Sequence, residues 1–254
     1  MHIDLLINGN PAFFVLEPSL YDQAIDIYKV DKHIQALRNA LSPIAIDHFT
    51  LRCLVDEIII SNGIEGVYST RKEINNVLSE LKVKSRGKRF SGFVQKYLML
   101  KNNENLSFKS CEDIRNLYDG LLSDEIRSGD PNDLPDGKVF RKDQNYVLSA
   151  SQKEIHQGVY PEDKIISYMS KSLDFLNNES IEPLFRIATF HYLFGYIHPF
   201  YDGNGRTSRF ISSYLLSKEF ESIIAFRLSY TIEKNITEYY KAFKLCNDKR
   251  NKGD

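Results

Sequence analysis

Between His198 and Arg209 the chain places one histidine, one carboxylate, two glycines and two arginines in twelve residues, His198-Pro199-Phe200-Tyr201-Asp202-Gly203-Asn204-Gly205-Arg206-Thr207-Ser208-Arg209. Gly203 and Gly205 permit positive φ and close backbone approach to a ligand. Successive N–H groups in such a turn form a nest for an anion, and a helix starting there adds positive potential. Arg206 and Arg209 are three apart and share a face of that helix. A cation at a helix N-terminus opposes the dipole by about 0.3–1 kcal/mol. Two of them beside a glycine nest call for an anion, and two guanidiniums suit a polyphosphate. Asp202 suits Mg²⁺, which takes one or two protein carboxylates and completes its shell with phosphate and water. His198 suits a general base at neutral pH. Each residue also has an ordinary reading: a helix C-terminus for His198, an N-cap for Asp202 or Asn204, a plain turn for the glycines. Those readings leave both arginines unexplained.

Two helices must position this loop. Pro183 to Ile197 reads as a buried helix through Leu184, Ile187, Ala188, His191, Tyr192 and Gly195. Pro199 disfavours helical geometry at His198 and ends it. Phe210, Ile211, Tyr214, Leu215 and Leu216 predict a second apolar helix after the glycines.

The twelve residues match, at every fixed position, H-x-F-x-[DE]-G-N-G-R-x-x-R, and the chain so resembles the Fic (Fido) family. Most members transfer AMP from ATP to a hydroxyl side chain of a protein. The resemblance implies that His198 is the base for that hydroxyl and Asp202 the Mg²⁺ ligand. It puts Gly203, Asn204 and Gly205 in the anion hole, Arg206 on the middle phosphate and Arg209 on the terminal one. A phosphotransferase branch carries Lys where Gly205 stands, so the likeness is to the nucleotidyl-transfer branch.

Upstream, Asp47 to about Ser61 predicts a helix with Phe49, Leu51, Leu54, Val55, Ile58 and Ile59 on a broad apolar face. It ends in Ser61-Asn62-Gly63-Ile64-Glu65-Gly66, which reads either as a C-cap with Gly63 or Gly66 left-handed or as the inhibitory motif [ST]-x-x-x-E-[GN] found before some Fic cores. In the second reading Glu65 forms a bidentate pair with Arg209, where the terminal phosphate would sit. ATP then binds, if at all, with its α-phosphate turned from attack.

The remaining segments support these parts. Leu5-Leu6-Ile7 and Phe13-Phe14-Val15-Leu16 around Asn8-Gly9-Asn10-Pro11 favour a hairpin over an apolar arm. Helical spacing runs from Tyr21 to about Leu41 through Ile25, Ile27, Tyr28, Ile34 and Leu37, and Ser42-Pro43 breaks it. Thr70-x-x-Glu73 is a capping box for a helix through Ile74, Val77, Leu78 and Leu81. The basic run Lys82 to Arg89, with Lys84, Arg86 and Lys88, lacks interleaved aromatics and reads as a solvated loop rather than a nucleic-acid patch. Phe93–Leu100, Cys111–Ile126 and Asp163–Leu176 are further helices. Tyr146-Val147-Leu148 and Ile155 to Tyr160 around Ser149–Glu154 suggest a second hairpin, where the resemblance implies a flap that holds the target segment as an added strand. His191 reads as a satisfied core histidine rather than a metal ligand. A last helix runs through Ile232, Ile236, Tyr240 and Phe243, and the charged tail after Asn247 is expected to fray.

Composition sets outer bounds. With 254 residues and a net charge of −1, no global field favours nucleic acid or an anionic membrane. Cys53, Cys111 and Cys246 form no metal or disulfide pattern, which suits a reducing compartment. No apolar run reaches about 18 residues, and the start lacks a basic signal region. A cytoplasmic protein is the expectation.

The expected fold is all-α: a Fic-type helical bundle with a small β-hairpin flap and an N-terminal helical region carrying the inhibitory motif. The expected division is residues 1–90, with the inhibitory helix at about 47–66, and residues 91–254, with the flap at about 140–161 and the catalytic loop at 198–209. The expected function is a protein adenylyltransferase moving AMP from MgATP to a Ser, Thr or Tyr hydroxyl, with Glu65, Ser61 and Gly66 inhibitory. Its partners are ATP and a protein target, self-modification included, with a homo-oligomer compatible and nucleic acid and membrane excluded. Removal of AMP by a hydrolase that uses Glu65, and a non-enzymatic nucleotide-binding module, are the alternatives.

Overall fold

The computed structural model describes residues 1–81, 89–148 and 154–254. Most of the basic run Lys82–Arg89 and of the turn Ser149–Glu154 lies outside the described residues. Among them the chain forms eleven helices and two small antiparallel hairpins, the all-α plan expected. The first hairpin pairs β1 (His2–Ile7) with β2 (Asn10–Phe13). Asn8 and Gly9 between them take φ of 51° and 82°, as a tight hairpin turn requires.

Helix α1 (Pro18–Asn39) follows, then α2 (Pro43–Ile64), which Ser42 caps by accepting from the Ala45 N–H at 3.3 Å. The predicted capping box starts α3 (Arg71–Leu81), where Thr70 and Glu73 exchange side-chain to backbone hydrogen bonds. Helices α4 (Ser91–Lys101) and α5 (Cys111–Ser128) pack on each other. The second hairpin pairs β3 (Tyr146–Leu148) with β4 (Glu154–Gln157) in a two-stranded antiparallel sheet. Then come α6 (Glu162–Leu176), α7 (Pro183–Ile197) and α8 (Asn204–Glu219). The chain closes with α9 (Ser222–Ala225), α10 (Leu228–Lys234) and α11 (Ile236–Cys246).

The core is continuous. Ile3 of β1, Leu54 and Ile58 of α2, Phe93 and Tyr97 of α4, Tyr118 of α5, Phe194 of α7 and Phe210 of α8 belong to one buried cluster. Helix α7 packs between α6 and α8, and α2 lies against α10. The α2–α10 contact carries a polar anchor. Fully buried Glu57 accepts from the Ser229 N–H (2.9 Å to each oxygen) and hydroxyl (2.6 Å) in the first turn of α10. Burial pushes its carboxyl up to about 7 against those hydrogen bonds.

Four expectations change. Helix α1 forms, but Ile25, Ile27 and Leu37 are exposed and only Ala24 and Asp31 are buried; helical period does not say which stripe meets the core. On α7 the buried stripe is Ile187, Phe190, Leu193, Phe194 and Ile197, while Ala188 is exposed; the helix is apolar on nearly every side, so period alone could not choose a face. The single last helix is two, α10 and α11, meeting at Asn235. The tail does not fray: the buried Gly253 carbonyl accepts from the Phe13 N–H at 2.9 Å, and Arg250 pairs with Asp248.

Candidate active site

The loop between α7 and α8 is set from both ends. His198 caps α7 in the left-handed region (φ 52°, ψ 62°), its N–H donating to the Phe194 carbonyl at 2.9 Å. Gly203 precedes α8 with φ 78°, a geometry open to glycine at little cost. Asn204 braces the turn: its Nδ2 donates to the Phe200 carbonyl (2.8 Å), and the Phe200 N–H donates to its Oδ1 (3.0 Å). Both ends of that amide are therefore engaged within the loop. Phe200 is fully buried, stacked on Tyr118 of α5 at 3.7 Å, and the Tyr118 hydroxyl donates to the Asp202 carbonyl at 3.2 Å.

The root of the flap holds the other side. Arg141 is fully buried, with Nε donating to the His198 carbonyl (2.9 Å) and a terminal nitrogen to the Val159 carbonyl (2.8 Å). Asn145 donates to the Phe200 and Tyr201 carbonyls at 3.0 and 2.8 Å. These two residues tie the segments flanking the β3–β4 hairpin to the loop carrying His198. Neither was singled out from the sequence.

His198 is held neutral. Burial first, then the proximity of His156 and the Arg141 guanidinium, bring its imidazole down to about 3, against a hydrogen bond to Gly195. His156 on β4 is held below its ordinary value by burial, with Nε2 2.7 Å from the Tyr196 carbonyl. A neutral imidazole is the form that accepts a proton.

Both arginines have carboxylate partners, which answers the dipole problem posed by the sequence. Fully buried Arg206 donates to Glu125 Oε1 on α5 at 2.6 Å and to Asp202 Oδ2 at 3.0 Å. Asp202 Oδ1 accepts from the Gly203 N–H at 2.6 Å, and the Asp202 side chain is 47% exposed. Among the described residues no group of three or more metal-binding side chains stands together. As a half-exposed carboxylate, Asp202 fits an Mg²⁺ ion whose other ligands come from phosphate and water.

Arg209 is buried, and each of its three guanidinium nitrogens donates a hydrogen bond. It donates to Glu65 Oε1 at 2.7 Å, to Ser61 Oγ at 3.0 Å and to the Ser61 carbonyl at 2.8 Å. The contact with Glu65 uses one carboxylate oxygen, not the bidentate pair expected; Nε and Nη2 donate to Ser61 instead. Burial alone would lower the guanidinium, yet Glu65 and Tyr239 raise it above its ordinary value. Glu65 is the C-cap residue of α2, and Arg209 lies in the second turn of α8. An anion at a helix C-terminus and a cation near an N-terminus each oppose their dipoles; joined, they satisfy each other. Gly66 follows with φ 74°, so the cap reading and the motif reading describe the same turn.

Gly205 differs from expectation. It sits inside α8 without positive φ. A Cβ there would collide with Glu65 Oε1. His191 is the satisfied core histidine expected, 2.8 Å from Ser212 Oγ and 2.7 Å from the Tyr239 hydroxyl, with burial holding it down to about 4.

Residues 108–216, from the approach to α5 into α8, match the Fic/DOC family. The chain carries a Fic domain. Over 234 residues it is 29% identical to the protein adenylyltransferase Fic of Drosophila willistoni, covering 85% of this chain and 42% of that protein. Over 230 residues it is 30% identical to the protein adenylyltransferase Fic of Drosophila virilis, covering 83% and 42%. The chain thus spans about two fifths of the length of these curated relatives. Among solved structures, a Fic family protein from Desulfovibrio desulfuricans superposes with a TM-score of 0.69 at 20% identity, covering 93% of this chain and 69% of that one. Fic-1 from C. elegans gives a TM-score of 0.54 at 21% identity, covering 93% and 68%. Those likenesses place the Fic fold. Among the described residues no helix is long and apolar enough to cross a membrane.

Proposed function

We propose that this chain is a protein adenylyltransferase held in check by its own Glu65. The observation that carries the reading is the Arg209–Glu65 contact of 2.7 Å beside an intact Fic loop. The curated relatives named protein adenylyltransferase support the class of reaction.

In the proposed reaction a Ser, Thr or Tyr hydroxyl of a target protein attacks the α-phosphorus of ATP. The bond from that phosphorus to the bridging oxygen of the β-phosphate breaks, and pyrophosphate leaves. The hydroxyl proton passes to the neutral imidazole of His198. Mg²⁺, when bound, offsets phosphate charge. Asp202 would hold it, and the backbone around Gly203 and Gly205 would donate to phosphate oxygens. Arg206 would take the middle phosphate and Arg209 the terminal one. The open edge of the β3–β4 hairpin would hold the target segment by strand addition. Residues 1–90 would form the regulatory region and residues 91–254 the catalytic one, in the cytoplasm.

Inhibition follows from occupancy. Glu65 and Ser61 engage all three guanidinium nitrogens of Arg209, so a terminal phosphate would have to compete with the Glu65 carboxylate for it. His198→Ala in a Glu65→Gly background tests the base: transfer of label from α-labelled ATP to protein should fall to background, and retained transfer would remove the assignment.

A second reading rests on one feature of Glu65. Only one of its carboxylate oxygens meets Arg209, and 30% of the side chain stays accessible. In this reading the other oxygen would orient a water that removes AMP from a modified target. Incubating the chain with pre-modified protein and no ATP separates the directions: loss of AMP supports removal, and a stable adduct excludes it.

A further inference from the structure

We infer that Glu125 is a positioning residue for the metal-nucleotide site: it is the fixed counter-ion of Arg206 that leaves Asp202 free to exchange that arginine for a divalent cation. The inference rests on the adenylyltransferase reading and deepens it.

Three observations meet at this residue. Arg206 is fully buried and shared by two carboxylates, Glu125 at 2.6 Å and Asp202 at 3.0 Å. The two differ in setting: the Asp202 side chain is 47% exposed, whereas the Glu125 side chain is 12% exposed. Glu125 Oε2 and Arg206 Nε are buried and have no hydrogen-bond partner among the described residues. The pair therefore carries spare hydrogen-bonding capacity on both sides, where most buried polar groups are satisfied.

Glu125 also stands where a carboxylate is not favoured by its own helix. It lies in the last turn of α5, which ends at Ser128, and an anion there opposes the macrodipole. Its local setting gives no reason for the charge; Arg206, 81 residues away, does.

The charge balance gives the role a direction. Asp202, Glu125 and Arg206 sum to −1, so an arriving divalent cation takes the cluster to +1. With a neutral side chain at position 125 the same cation would take it from 0 to +2. When Asp202 turns to the cation, Arg206 would be a buried guanidinium without any carboxylate, an expensive state. With Glu125 in place Arg206 keeps a partner and stays aimed at the loop.

Glu125→Gln tests this in a Glu65→Gly background, so that the inhibitory contact does not mask binding. ATP binding is titrated calorimetrically with Mg²⁺ varied and again with the metal chelated. The Mg²⁺ concentration giving half-maximal tightening of ATP binding should rise about tenfold, the scale of outer-shell partners of metal ligands. Metal-free ATP should bind no more weakly, because a negative charge has been removed. Weakening of both forms alike would mean a merely structural role and would overturn the proposal, as would an unchanged Mg²⁺ midpoint. If the Gln variant does not fold, Glu125→Asp keeps the charge but withdraws it by one methylene, and the midpoint should shift in the same direction by less. An unshifted Asp variant would then overturn the proposal. Failure of the Glu65→Gly parent to bind MgATP at all would remove the adenylyltransferase reading, and this one with it.

Discussion

The carboxylate of Glu65 fills the space that a side chain at Gly205 would need. A residue at the end of α2 and a residue in the first turn of α8, 140 positions apart, are thus sterically complementary. Gly205→Ala is expected to push Glu65 off Arg209 and to destabilise the protein by about 1–3 kcal/mol, the scale of hydrogen bonds between charged groups. In a Glu65→Gly background the same alanine should cost much less. Denaturant unfolding of the four proteins of this double-mutant cycle measures the coupling; equal costs in both backgrounds would disconnect the two positions.

Ser61 holds Arg209 with two acceptors, its hydroxyl and its carbonyl. Ser61→Ala removes only the hydroxyl, which should cost about 1 kcal/mol. If that bond helps keep Arg209 from ATP, AMP transfer should rise by a factor of about 5, well short of the Glu65→Gly effect. Transfer rates of the two variants under identical MgATP decide this.

The pH dependence has a sign set by groups that burial has shifted. His198 and His191 are held down to about 3 and about 4, below the ordinary histidine value of about 6.5. Between pH 6.5 and 4.5 they bind protons in the unfolded chain but not in the folded one, so each lowers stability as pH falls. Glu57, pushed up to about 7, keeps its proton in the folded chain while the unfolded one loses it, and so acts in the opposite sense. His156, also held below its ordinary value, adds to the histidine side, so a net loss of stability is predicted on acidification from pH 6.5 to 4.5, at no more than about 1.4 kcal/mol per pH unit for each histidine. Thermal unfolding across that range measures it, and Glu57→Gln should steepen the fall.

Catalysis should not share that dependence. A base already neutral at pH 5 gives no acid limb near 6.5. In the Glu65→Gly background kcat/KM for a hydroxyl target should stay level, at saturating Mg²⁺, from pH 8 down to about pH 5.5, a range in which an ordinary histidine of about 6.5 would lose most of its base form. A drop centred near 6.5 would show that His198 titrates as an exposed histidine.

What could be read without coordinates follows from how locally each feature is encoded. The loop from His198 to Arg209 was legible because its residue types and spacing are themselves the geometry: a helix end, a nest and a helix start. The Ser61–Gly66 turn was legible only beside that loop. Glu125 and Arg141 were not, because their partners lie 81 and 57 residues away and no local pattern marks them. Asn204 was assigned to the anion hole, yet its amide spans the loop backbone, a distinction that spacing does not carry. The outward face of α1 was missed because Ile25, Ile27 and Leu37 keep helical period wherever they point.

The most direct test compares incorporation of α-labelled ATP by the wild-type chain and by Glu65→Gly, each with Mg²⁺, alone and with a cell lysate. Release of Arg209 should make the variant label itself or lysate proteins at least tenfold faster than the wild type, a margin of about 1.4 kcal/mol in barrier. Equal labelling by the two proteins, or no labelling by a variant that binds MgATP, would contradict the account.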